Sequence, residues 1–172
     1  GFFKKELLDL AGPRRINWPL MWNLDKERFQ DVRVREALSM LYDVAWINRV
    51  INYDFYIPAN SYFPNTQMAQ RGLPSATELK LLEPWRGQIP ERVFTHEWTE
   101  RKSSGYGHDR DALKRALELF AAAGWELKAG TMTNVKSGEP FTIEFVHASP
   151  TSKRAQATFV ETLKRVGIKA DL

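Results

Sequence analysis

The stretch from Phe141 to Leu172 changes hydrophobic period twice, and this constrains the fold more than any other feature of the chain. Phe141-Thr-Ile-Glu-Phe-Val-His147 alternates apolar and polar positions and is rich in β-formers, the pattern of a half-buried strand. Thr151 or Ser152 can open a helix whose inward positions are Ala155, Phe159, Leu163 and Val166, and Gly167 ends it. Ile168-Lys-Ala-Asp-Leu172 reads as the next strand. Strand, helix and strand at this spacing make a βαβ unit, whose crossover is expected to be right-handed. The fold class that follows is α/β.

The upstream elements agree with that class. Residues 3–10 are expected to form a short helix that Gly12-Pro13 ends. Ile16 to Leu24 is apolar and aromatic and reads as a buried strand, with Pro19 favouring an edge or a bulge. Asp31 is placed to cap a helix from Val32 to about Tyr42, with Val34, Ala37, Leu38 and Leu41 as its buried stripe. Asp43 can cap a second helix, with Trp46, Ile47, Val50 and Ile51 inward. Asp109 is a third cap, before a stripe of Leu113, Ala116, Leu117, Phe120 and Ala121, and Gly124 stands at the C′ position. Gly130 and Gly138 predict a turn or hairpin around Thr131–Val135.

Residues 52–108 break the pattern. Pro58, Pro64, Pro74, Pro84 and Pro90 punctuate them, and Glu78 to Glu83 allows one short helix. A structureless stretch of this length inside a compact domain is unusual and is often functional. Tyr53, Phe55, Tyr56, Tyr62, Phe63, Trp85, Phe94 and Trp98 argue against a disordered linker. The expectation is a single α/β lobe over 1–172 with a long Pro- and aromatic-rich loop, 52–108, packed on it.

Composition removes several function classes. The formal charge is +4, but Lys and Arg alternate with Asp and Glu, as in Asp25-Lys-Glu-Arg28. Nucleic-acid binding needs cations gathered on one face, so that class ranks low. With no cysteine, disulfides and thiolate metal sites are excluded. No apolar run reaches the length of a membrane span. A start at Gly1 and an end on Asp171-Leu172, in an expected strand, read as a piece of a longer protein. A missing signal peptide is then no evidence for the cytoplasm.

Catalytic motifs fail on spacing. His96-Glu-Trp-Thr-Glu100 begins like a zinc-protease signature, but Glu100 stands where the second His is needed. His96, His108 and His147 are scattered, so no metal site is expected. Gly105-Tyr-Gly107 before Asp109 lacks the further glycines or Lys of a phosphate loop and reads as a turn plus a cap. Ser103 and Ser104 lack a nucleophile-elbow context. Arg33 and Arg35 point to different sides of their helix. The bland reading makes one solvated and the other a packed stem paired with a carboxylate; the functional reading makes one a hinge or cleft residue.

Several phrases occur in one order that resembles the family 5 solute-binding proteins of ABC importers. They are Trp22-Asn23, Phe29-x-Asp31-Val-Arg-Val-Arg-Glu-Ala-Leu38 and Asp43-x-x-Trp46-Ile-Asn48. Asn60-Ser-Tyr-Phe63, Gly72-Leu-Pro74 and Leu82-Glu-Pro84 follow, and the middle group looks most like the microcin C branch. Ala112 to Trp125 and Leu163-Lys-Arg-Val-Gly-Ile168 complete the set, which covers most of 16–172. The resemblance implies lobe II of a type II periplasmic-binding-protein-like fold, in a two-lobed receptor that closes on its ligand like a hinged trap.

What it implies about function is a peptide or peptide-like ligand, captured for an ABC permease of the inner membrane. The receptor is expected to be periplasmic or extracellular, with or without a membrane anchor, monomeric, without cofactor, and not an enzyme. Open α/β sheets bind ligands at strand ends. The candidate ligand-binding residues are therefore Trp22 and Asn23, Ser61, Tyr62 and Phe63 on the long loop, and His147 and Ser149 after the late strand. Two rivals stand beside this reading. A hydrolase using His96 or His147 predicts turnover, and a basic nucleic-acid module predicts affinity that falls steeply with salt.

Overall fold

The computed structural model describes residues 20–54, 61–64, 66–69, 71–99, 101–107, 109–146 and 150–172. The chain divides into two compact units, one holding residues 58–101 and the other 20–57 and 102–172. The expected helix at 3–10 and residues 16–19 of the expected first strand lie outside the described residues.

The larger unit opens on residues 20–23, which carry no strand, contrary to expectation. A strand needs a partner edge, and an apolar run alone does not supply one. A 3-10 turn at Glu27–Phe29 follows, then α1 (Val32–Met40) and α2 (Val44–Ile51). Asp31 caps α1 by accepting the Arg33 amide at 2.8 Å, and Asp43 caps α2 by accepting the Trp46 amide at 3.0 Å. Each carboxylate satisfies an N–H that has no partner within its own helix. The α1 stripe is buried as expected, with Val34, Ala37 and Leu38 fully enclosed and Leu41 nearly so. In α2 only Ile47 is buried, and Val50, expected inward, is 48% exposed. α2 therefore packs along one line of side chains rather than over a broad face.

α5 (Arg110–Ala122) lies against α1. Asp109 caps it through the Ala112 amide at 2.9 Å. Its buried residues are Ala112, Ala116, Leu119 and Phe120, so the stripe is turned from the expected one and Ala121 is exposed. Gly124, at φ +83°, lets the chain leave the helix and enter a hairpin. The hairpin is β1 (Trp125–Lys128) paired antiparallel with β2 (Thr131–Asn134). The hairpin expected around Thr131–Val135 is thus present, with Thr131–Asn134 as its second strand and its turn on Ala129-Gly130, both at positive φ.

β3 (Thr142–Glu144), α6 (Pro150–Arg165) and β4 (Lys169–Asp171) form the expected βαβ unit, with β3 and β4 parallel. The hairpin is joined to it by backbone bonds. Met132 N–H donates to the Gly167 carbonyl at 2.8 Å, and Phe141 N–H donates to the Met132 carbonyl at 2.7 Å. Phe141 is fully buried at the centre of the core. Its ring lies 4.5 Å from Trp125, 5.7 Å from Phe120 and 6.1 Å from Phe29. Offset and edge contacts of this kind add to the burial itself.

The smaller unit contains α3 (Ala76–Leu82), a 3-10 turn at Glu83–Trp85 and α4 (Arg92–Thr95). The predicted short helix is α3. Ser75 and Glu78 form a reciprocal capping box at its start. The Arg86 guanidinium covers the Phe94 ring at 3.9 Å while pairing with Glu83 and Glu91. Among the described residues of this unit Phe94 is buried, whereas Tyr62, Trp85 and Trp98 keep more than half their surface exposed.

Candidate functional site

The sequence candidates fall in both units. His147 and Ser149 lie outside the described residues. The others form two local arrangements, one around Trp22 and Asn23 and one around Ser61 to Phe63.

The first is a turn built on the aromatic core. Trp22 is half-buried, and its ring lies 5.1 Å from Phe29 and 6.5 Å from Phe145. Phe145 follows β3 directly, so Trp22 stands at the carboxyl end of that strand. Asn23 is exposed. Its side-chain Oδ1 accepts the Asp25 amide at 2.9 Å, and its carbonyl accepts the Lys26 amide at 3.2 Å. The side-chain bond is an Asx turn, which reverses the chain locally. The amide nitrogen of the side chain is left to face solvent or a ligand. The Gln30 side chain donates to the Leu24 carbonyl at 3.0 Å and braces the next residue.

The turn ends where α1 begins. Arg33 forks onto Asp31, donating to both carboxylate oxygens at 2.6–3.1 Å. That bond, with the Arg33 amide and the charges of Arg33 and Arg35 acting in the same direction, holds the Asp31 carboxyl below its usual range against the opposing effect of burial. Arg35 behaves differently. Its Nη1 donates to the Phe29 carbonyl at 2.6 Å and to the Gln30 carbonyl at 2.7 Å. The bland sequence reading is thus corrected in one respect. The arginine that pairs with the carboxylate is the exposed Arg33, and Arg35 holds backbone.

The second arrangement is a loop with its aromatics displayed. The Ser61 hydroxyl accepts the Phe63 amide at 3.1 Å, and the Thr66 hydroxyl donates to the Phe63 carbonyl at 2.8 Å. These bonds fix the backbone between Tyr62 and Phe63, while the side chains are 85% and 51% exposed. Two exposed aromatics on a pinned loop can stack on a ligand at little entropic cost.

A groove of about 230 Å³ lies in the larger unit, bordered by Trp46, Ile47, Tyr106, Thr158, Thr162 and Arg165. Trp46 and Ile47 are the inward positions expected of α2, whereas Tyr106, Thr158, Thr162 and Arg165 were not singled out by the sequence. The spacing of Thr158 and Thr162, one helical turn apart, was the available signal. Its floor is organised by Asp43, which accepts the Ser103 hydroxyl at 2.5 Å and the Gly107 amide at 3.0 Å besides capping α2. Drug-sized ligands occupy pockets of roughly 300–1,000 Å³, so this groove is small for an oligopeptide.

His96 is exposed and its Nδ1 lies 2.7 Å from the Thr95 hydroxyl. Among the described residues no group of three or more His, Asp or Glu is placed to hold a metal ion. Among them, too, no helix is long and apolar enough to cross a membrane.

Comparison with known proteins gives a consistent result. The family model for bacterial extracellular solute-binding proteins, family 5 Middle, matches residues 3–172. The chain is 37% identical over 153 residues to the uncharacterized protein YejA of Escherichia coli K12, covering 89% of this chain and 25% of that protein. It is 31% identical over 169 residues to the probable peptide-binding protein YejA of Agrobacterium fabrum, covering 98% of this chain and 28% of that protein. The chain thus spans about a quarter of the length of the curated relatives it matches. Its fold is shared with part of the oligopeptide-binding protein AppA of Bacillus subtilis, solved with a nonapeptide. The TM-score there is 0.54 at 19% identity, over 88% of this chain and 25% of AppA. The α/β architecture is accordingly type II periplasmic-binding-protein-like, and the chain belongs to the bacterial extracellular solute-binding proteins of family 5.

Proposed function

We propose that the protein carrying this chain is the solute-capturing component of an ABC importer and takes peptides or peptide-like compounds. The observation that carries the reading is the match to the family 5 model along nearly the whole chain. The name of the Agrobacterium fabrum relative and the nonapeptide in AppA support peptides as the ligand class. The protein works outside the cytoplasm, passes its ligand to a membrane permease, and binds rather than transforms it.

In this reading the candidate ligand contacts are Trp22 and Asn23, Ser61, Tyr62 and Phe63, and His147 and Ser149. The exposure of Tyr62 and of the Asn23 side chain supports those roles. Aromatic faces flank the peptide, and Asn23 and Ser61 exchange hydrogen bonds with its main chain. Main-chain recognition leaves side-chain choice loose, as a general importer needs.

The test is calorimetry of the full-length protein with a mixed pool of short unblocked peptides, followed by mass spectrometry of what co-purifies. Saturable heat and retained peptides are expected. No heat and no co-purifying peptide would sink the proposal. Turnover of the pool that histidine-to-alanine variants abolish would favour a hydrolase instead.

A further inference from the structure

We infer that Arg35 is a positioning residue that sets the shape of the Trp22–Asn23 turn from within α1. The inference rests on the proposed role of that turn as ligand wall. Arg35 spends its donors on backbone, with Nη1 at 2.6 Å from the Phe29 carbonyl and 2.7 Å from the Gln30 carbonyl. The carboxylate nearest in sequence, Asp31, is already forked by Arg33. A charged donor on a carbonyl makes a stronger bond than a neutral one. Two such bonds on consecutive carbonyls fix the direction of the chain between the 3-10 turn and α1.

Two routes run from those carbonyls to the ligand wall. The Phe29 ring, buried beneath the turn, lies 5.1 Å from the Trp22 ring and sets its tilt. The Gln30 side chain reaches back to the Leu24 carbonyl at 3.0 Å, one residue past Asn23. Holding Phe29 and Gln30 therefore holds both wall residues, although Arg35 bonds to the Phe29 and Gln30 carbonyls and not to the wall itself. The helix that supplies Arg35 is anchored by its fully buried stripe, so the anchor is rigid where the turn is exposed. Binding groups perform best when rigid elements behind them fix their geometry.

A merely structural role for the Arg35 stem predicts that any long side chain suffices. The positioning role predicts dependence on the charged donor. Both bonds leave one nitrogen, so a lysine ammonium, with three donors but a reach one bond shorter, can restore them in part. Arg35→Met and Arg35→Lys should therefore be compared in the full-length protein by amide hydrogen exchange and by calorimetry with the mixed peptide pool. Arg35→Met should speed exchange at Lys26, Phe29 and Gln30 by on the order of tenfold, leave Leu119 to Ala123 unchanged, and weaken peptide binding by on the order of tenfold. Arg35→Lys should lie between Arg35→Met and wild type in both. In an Asn23→Ala background, Arg35→Met should cost little further affinity, because the two act through one turn.

Wild-type exchange in Arg35→Met, equal behaviour of the Met and Lys variants, or fully additive affinity losses would each overturn the inference. A wild-type protein that takes no peptide overturns the functional reading instead. The exchange comparison still decides whether Arg35 sets the turn.

Discussion

The Met132 amide donates to the carbonyl of Gly167 at 2.8 Å, and this bond fastens the β1–β2 hairpin to the end of α6. The contact is close enough to exclude any side chain at 167. A Cβ there would sit 2.7 Å from Met132 N, 2.7 Å from Gly130 O and 2.5 Å from Leu127 Cδ1, at φ +74°. Gly167→Ala should therefore lower stability by roughly 2–4 kcal/mol, combining left-handed strain with overpacking against backbone. Gly124 has a similar φ of +83° but open space around it, so Gly124→Ala should cost only about 1 kcal/mol. Urea titration of the two variants checks the difference, and equal midpoints would count against the steric account.

Asp43 joins segments far apart in sequence. It caps α2 and also accepts from Ser103 and Gly107. Ala45 N–H donates in turn to the Ser103 hydroxyl at 3.2 Å, and Arg49 donates to the Gly105 carbonyl. Asp43→Ala should cost about 2–3 kcal/mol, from the lost cap and the amides and hydroxyl left without an acceptor. Ser103→Ala removes one of these bonds and should cost about 1 kcal/mol. Proteolysis should open first between 101 and 107 in Asp43→Ala. Cleavage elsewhere would show that the clasp does not hold this loop.

These two relationships mark what could and could not be read from the residues alone. Asp31, Asp43 and Asp109 were legible as caps because a cap is local: the carboxylate and the amides it accepts lie two or three residues apart. Gly124 and Gly167 were legible as helix ends for the same reason, and the βαβ unit because period changes are local. The reach of Asp43 to Ser103 and Gly107 was not legible, since it depends on tertiary placement. Nor was the loss of strand at 20–23, where apolar side chains pack without a sheet edge, or the exposure of Val50 at 48%. Of the candidate site, Trp22 and Asn23 were expected at the end of a strand, and residues 20–23 form none. The bracing from Gln30 and Arg35 was not legible, because side chain to backbone bonds leave no periodic trace.

Phe141 is the contact point of three other aromatic rings and is fully buried. Phe141→Ala should lower stability by about 3–5 kcal/mol, and Phe141→Leu by less, since it leaves a smaller cavity. Thermal unfolding checks both. A loss below about 1 kcal/mol in the alanine variant would mean that the hairpin and helices close over the gap.

Trp22 and Asn23 should separate when binding and stability are measured together. Trp22→Ala removes a ring that packs on Phe29 and Phe145, so it should lower the melting temperature as well as the affinity for the peptide pool. Asn23 is exposed, and its side chain closes a local turn, so Asn23→Ser, which keeps an acceptor, should leave stability within about 0.5 kcal/mol. Its affinity should nevertheless fall, because serine lacks the amide donor. Unchanged affinity in Asn23→Ser would remove Asn23 from the ligand wall.

The Asp31–Arg33 pair gives a pH dependence with a definite sign. Arg33 holds the folded-state pKa of Asp31 below its unfolded value, which is roughly 4. A depressed carboxyl contributes stability in full above that unfolded value and loses it as pH falls through the folded one. Asn caps a helix about as well as Asp, so Asp31→Asn isolates the charge from the cap. The variant should melt slightly lower than wild type at neutral pH, and the gap should close as the pH drops below roughly 4. The gap should be small, because the pair is exposed and salt screens it. Asp31→Ala loses the cap as well, and its further deficit of about 1 kcal/mol should persist in high salt. Melting curves across acidic pH at low and high salt test both parts. A gap that widens on acidification would contradict the assigned direction of the shift.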